Sequence, residues 1–196
     1  MAFVSFVQRA ASLEVVQNRN LRRTIGVAAF AALTAFGAHV ALPVPGSPVP
    51  VTLQTMFATL AGVLLGPYLG AASQLAYLAI GAAGAPVFSA GIGLAALAGP
   101  TGGYLIAFPI AAALAGVMTR RTAGSTLLQG AKIAAVMFVA TGAVLAIGAL
   151  QLTLFTGDIE RAVQAGVLPF LVGDVVKSIL GATIAVRLRK RTLGLF

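Results

Sequence analysis

The sequence predicts an all-α integral membrane protein of six transmembrane helices with cytoplasmic N- and C-termini and Pro/Gly-rich external loops over a substrate pocket. Three observations predict it. Only 9% of the 196 residues are charged and 59% are hydrophobic, whereas soluble domains carry about 25% charged residues. Apolar runs occupy residues 24–42, 51–66, 68–83, 101–118, 131–153 and 168–186, each bounded by turn signals. The basic residues cluster at the edges of these runs, as Arg19, Arg22 and Arg23, as Arg120 and Arg121, and as Arg187, Arg189, Lys190 and Arg191. Such edges are expected to face the cytoplasm.

The first span, residues 24–42, follows three arginines and so starts inside. Residues 51–83 make one helix or two. One helix would be about 50 Å long at 1.5 Å per residue, too long for a single crossing. Gly66-Pro67 in the middle is a natural break. Charge parity agrees, because a cytoplasmic Arg120 and Arg121 require an even number of crossings before them. Residues 101–118, 131–153 and 168–186 complete the six. The external loops are then residues 43–50, 84–100 and 157–167, which hold a single basic residue, Arg161.

The chain divides into a basic cytoplasmic segment (1–23), a six-helix membrane domain (24–188) and a basic cytoplasmic tail (189–196). Phe3, Phe6, Val7 and Ala10 lie near one helical face, so the first segment is either a short interfacial helix or an unstructured basic tail. The expected location is the cytoplasmic (inner) membrane, crossed several times, with lipid as the surrounding partner.

Composition excludes several functions. The absence of cysteine removes disulfides and thiolate chemistry. One histidine (His39) and four acids (Glu14, Asp158, Glu160, Asp174) leave almost nothing for a metal centre. No metal and no cofactor are expected. The net charge of +9 comes from membrane-edge anchors with no interleaved aromatic platform, so no nucleic-acid partner is expected.

Asp174 and Lys177 stand out, three residues apart inside the last apolar run. An ionisable side chain at mid-membrane costs about 2.5–3.5 kcal/mol on insertion scales. Positions i and i+3 share a helix face and can pair. A self-neutralising internal pair is the plain alternative, although such pairs are costly without further hydrogen bonds. Residues 43–50 contain four prolines and form a stiff loop, either a simple connection or a lid. Thr52, Gln54 and Thr55 follow it with polar groups. The glycine-dense stretch 84–104 is either a flexible re-entrant loop or a nest of free N–H groups. Small residues recur at helical spacing. Gly62, Gly66 and Gly70 suit internal packing, whereas Ala28, Ala32, Ala31 and Ala35 give the first span a smooth face that serves either internal packing or, equally, docking of another membrane protein.

An enzyme is poorly served by this inventory, since Asp174 is the only intramembrane base and has a lysine beside it. A channel lacks rings of charge or carbonyls, and no inverted repeat marks a self-powered carrier. A binding protein with one external pocket fits better. The segments PVPVTLQT, LAGVLLGPYLGAASQLAYLAIGAAGAPVF, GPTGGYLIAFPIAA and LPFLVGDVVK, in that order, resemble the biotin-specific S component (BioY family) of energy-coupling factor transporters. The resemblance runs from about residue 24 to 186.

That resemblance implies a six-helix vitamin-binding subunit whose alanine face docks on a transmembrane coupling subunit carrying two ATPases. It implies biotin as the ligand. A ureido ring offers two N–H donors and one acceptor, matching Asp174 as acceptor and Lys177 as donor. The apolar remainder suits Phe57, Tyr77, Phe88 and Tyr104, with Gln54 as a further polar neighbour. For the valerate carboxylate the candidates are Thr101 and glycine N–H groups; the opposite orientation puts it on Lys177. An S component for another vitamin and, from a different class, a small membrane acyl- or phosphotransferase are the competing readings.

Overall fold

A computed structural model describes residues 18–120, 122 and 125–192. The expected interfacial helix around Phe3–Ala10 lies outside them. Asn18 caps the first helix, α1 (Arg19–His39), its side chain accepting from the Asn20 and Leu21 amides. α1 thus starts five residues before the apolar run, and the arginines form its first turn.

Beyond α1 the chain makes a small antiparallel ribbon. Strand β1 (Ala41–Leu42) pairs with β2 (Val51–Thr52) in the register Ala41 to Thr52 and Leu42 to Val51. The proline stretch is therefore the turn of a hairpin, a small departure from an all-helical chain. Proline cannot donate to a ladder, so the prolines sit between the paired residues rather than within them.

α2 (Gln54–Ala82) is broken at Gly66, whose φ of 81° and ψ of 174° are non-helical. A side chain there would be strained, and Pro67 has no N–H to continue the helical ladder. The chain doubles back at this point. A Cβ built on Gly70 would lie 2.6 Å from the Gly62 Cα, although residues eight apart in a straight helix are about 12 Å apart. Gly62 and Gly70 permit that close approach of the two halves.

α3 (Gly93–Ala98) is a short helix inside the glycine-dense stretch, followed by α4 (Gly102–Thr119), α5 (Thr126–Thr156), α6 (Ile159–Gly166), a 3-10 turn (Leu168–Phe170) and α7 (Leu171–Thr192). Ser125 caps α5 and Gly157, in the left-handed conformation with φ 73°, ends it. Helical stretches long and apolar enough to cross a membrane are Gln54–Ala82, Gly102–Thr119, Thr126–Thr156 and Ile159–Arg189. α2 packs on α1 and α4, and α5 on α4 and α7. The core between them is built largely of alanines and medium aliphatic residues, with Phe108, Ile133, Met137 and Leu152 buried.

α7 runs past residue 188 to Thr192. Its Arg189 is buried and donates from Nη2 to the Thr119 carbonyl, one of the acceptors a helix end leaves without an intrahelical donor. The last helix is thereby tied to the end of α4.

Candidate functional site

Asp174 and Lys177 lie one turn apart on α7, and both are buried, at 2% and 6% exposure. Lys177 Nζ is 2.5 Å from Asp174 Oδ1. It also donates to the Thr52 carbonyl at 3.1 Å and to Thr55 Oγ1 at 2.9 Å. Two of the ammonium's three donors are thus hydrogen-bonded, and the ion pair with Asp174 answers its charge. The pair is thus more than a self-neutralising bridge. It anchors α7 to the hairpin exit and to the first turn of α2.

The carboxylate is less fully served. Asp174 Oδ2 is buried and has no hydrogen-bond partner among the described residues. A buried carboxylate oxygen without a donor is costly, and Asp174 is one of the residues that line a cavity. Most of the cavity wall comes from four places, with Ser89 of the glycine-dense stretch and Leu145 of α5 beside them. Val49 and Pro50 come from the hairpin, Gln54 and Thr55 from α2, Thr101, Tyr104 and Phe108 from the start of α4, and Phe170, Asp174 and Lys177 from the last helical segment. Its volume is about 40 Å³, whereas sites for drug-sized ligands measure about 300–1,000 Å³. Admitting such a ligand requires wall segments to move apart.

Each wall residue is positioned by identifiable contacts. Gln54 Nε2 donates to the Tyr77 hydroxyl, which donates to the Val87 carbonyl at 3.1 Å. Phe88 meets the Tyr77 ring edge-on, with centroids 5.4 Å apart. Tyr104 donates to the Gly166 carbonyl at 2.9 Å, and its ring lies where a Cβ on Gly148 would be. Gln151 of α5 donates to the Leu97 and Gly99 carbonyls at 3.0 and 2.8 Å. The glycine-dense stretch is therefore pinned by its carbonyls and carries a helix, rather than forming an open nest.

Of the residues singled out from sequence, Asp174, Lys177, Gln54, Thr101 and Tyr104 line the cavity. Tyr77 and Phe88 stand one layer behind, holding Gln54 and the loop. Phe57 lies elsewhere, against Gly37 of α1. Thr52, Thr55 and Ser89 line it too, and the apolar lining residues Val49, Pro50, Leu105, Phe108, Leu145 and Phe170 were missed, because apolar wall and apolar core read alike in a sequence this hydrophobic. The lid reading of the proline stretch was the available signal for Val49 and Pro50. Of the four alanines, Ala28 and Ala32 are exposed, Ala35 is half-buried, and Ala31 is in the core. They line one side of a groove whose other side is Ala76, Tyr77 and Ile80. His39 is exposed.

The family model described as "BioY family" matches residues 9–193. A probable biotin transporter BioY of Pyrococcus horikoshii is 44% identical over 168 residues, covering 85% of this chain and 95% of that one. The biotin transporter BioY of Thermotoga maritima is 34% identical, covering 87% of this chain and 97% of its own. Among solved structures, the S-component for biotin from an ECF-type ABC transporter superposes with a TM-score of 0.80 at 29% identity, covering 89% of this chain and 94% of that one.

Proposed function

The chain belongs to the BioY family, and from that premise we propose that it binds biotin at the Asp174 cavity for uptake across the membrane. It is the substrate-binding subunit of an energy-coupling factor transporter and not an enzyme. The observation that carries the site assignment is Asp174, which lines a cavity beside Lys177 and has a buried oxygen, Oδ2, without a donor among the described residues.

In this reading a ureido N–H donates to Asp174 Oδ2, which gives that oxygen a charge-assisted bond. Lys177 donates to the ureido carbonyl in exchange for one of its present acceptors, Thr52 or Thr55. The bicyclic ring then lies against Tyr104 and Phe108. The valerate extends toward the hydroxyl groups of Thr101 and Ser89, which also line the cavity. Tyr77 and Phe88 keep Gln54 in place rather than touching the ligand.

The wider arrangement follows the charge pattern. Six crossings, counting the two halves of α2 separately, put both ends in the cytoplasm and the hairpin outside, in the cytoplasmic membrane. The reversal at Gly66 supports that count. A transmembrane coupling subunit with two ATPases docks on the α1 surface, where Ala28 and Ala32 are exposed and Ala31 and Ala35 form the floor. Competition with labelled biotin on the purified protein tests the ligand. Biotin is expected to displace the label while thiamine, riboflavin and pantothenate do not. Displacement by another vitamin at equal concentration would reassign the substrate.

A further inference from the structure

Away from the Asp174 cavity, α5 and α7 diverge near the start of α5 and leave a groove of about 420 Å³. Gly130, Ala131, Ala134 and Ala182 keep it open; a Cβ on Gly130 would reach only to 3.7 Å from Val186 Cγ2. Leu127 and Ile179, 85% and 55% exposed, form its rims. Thr183 brings no unmet polar demand, because its hydroxyl donates to the Ile179 carbonyl at 2.9 Å. The groove is thus an apolar slot. One charged residue lines it, Arg187, with Thr126 beside it.

The acids among the described residues are Asp158, Glu160 and Asp174. Asp174 is about 20 Å from Arg187 along α7 at 1.5 Å per residue, and the other two follow the far end of α5. No carboxylate among the described residues is therefore placed to answer Arg187. An exposed guanidinium at the mouth of an apolar slot on a membrane-facing surface matches a molecule with an anionic head and a hydrocarbon tail.

We propose that this groove holds one anionic phospholipid, its phosphate on Arg187 and one acyl chain between α5 and α7. α1, where the coupling subunit is placed, packs on α2 rather than on these helices, so lipid and partner do not compete for one surface.

The test uses the full chain in detergent, with native mass spectrometry titrations of dioleoylphosphatidylglycerol, dioleoylphosphatidylcholine and glycerol phosphate. Size-exclusion elution and far-ultraviolet circular dichroism check that each variant is folded. Wild type should bind the anionic lipid about fivefold more tightly than the zwitterionic one, the increment expected of one arginine near a headgroup. Arg187→Gln should bring the two within twofold. Ala131→Phe, at an exposed position on the groove wall, should weaken both lipids and leave the ratio unchanged. Glycerol phosphate should not compete. Equal affinity for the two lipids in wild type, or a preference that survives Arg187→Gln, overturns the proposal. Competition by glycerol phosphate would reduce the site to a headgroup contact. Unchanged lipid binding in Ala131→Phe with lost uptake would give the groove to a protein partner instead.

Discussion

Lys177 meets three acceptors while Asp174 keeps one oxygen open. That asymmetry separates their roles, with Asp174 available as it stands and Lys177 only by exchange. The orientation of biotin can be read from Lys177. Lys177→Ala leaves Asp174 buried without its cation, so affinity falls for every ligand, and the informative quantity is a ratio. If Lys177 serves the ureido carbonyl, biotin and biotin amide should weaken by the same factor. If it serves the valerate, the amide should bind poorly to wild type and lose little further. Calorimetry on the four combinations measures this, and a coupling above about 1 kcal/mol between Lys177 and the ligand carboxylate would reverse the orientation. At this scale the sequence was most legible where chemistry is rare. An acid and a lysine in an apolar run announce themselves. Phe57, Tyr77 and Phe88 were grouped as ligand contacts because aromatic character says nothing about depth, and packing set them at different distances from the cavity.

At the scale of elements, glycine decides how closely helices approach. A Cβ on Gly62 would overlap the Ala112 carbonyl of α4, whereas one on Gly142 of α5 would meet nothing within 4 Å. Gly62→Ala should therefore cost about 1–3 kcal/mol through overpacking. Gly142→Ala should be neutral or stabilising by up to about 1 kcal/mol, because helix interiors favour alanine over glycine. Thermal unfolding in detergent compares them, and equal midpoints would remove the close packing of α2 on α4. The break at Gly66-Pro67 was legible from length, dipeptide and charge parity together. The β1–β2 pairing and α3 were not. Two-residue strands and a six-residue helix carry too few side chains for periodicity to register, and their place is set by contacts such as Gln151 with the Leu97 and Gly99 carbonyls.

For the whole molecule, the Asp174 cavity and the α1 groove are separate hollows that share one neighbour. Tyr77 lines the groove and its hydroxyl holds Gln54 in the cavity wall. Bulk on the exposed alanines should disturb docking while leaving Tyr77 in place. Ala28→Trp and Ala32→Trp are expected to bind biotin within about twofold of wild type in detergent and to abolish uptake by cells. Lost binding would mean that these alanines pack internally, and full uptake would mean that transport needs no partner on this face.

In the proposed site, the open carboxylate oxygen of Asp174 receives the ligand. Isothermal calorimetry of biotin on wild type and Asp174→Asn is the test, because the amide is nearly isosteric and keeps one acceptor while losing the carboxylate charge that serves the ligand and pairs with Lys177. Such bonds contribute about 1.5–3 kcal/mol, so the variant should bind about ten- to a hundredfold more weakly while eluting and unfolding as a folded protein. Unchanged affinity in a folded Asp174→Asn protein would remove Asp174 from the binding site.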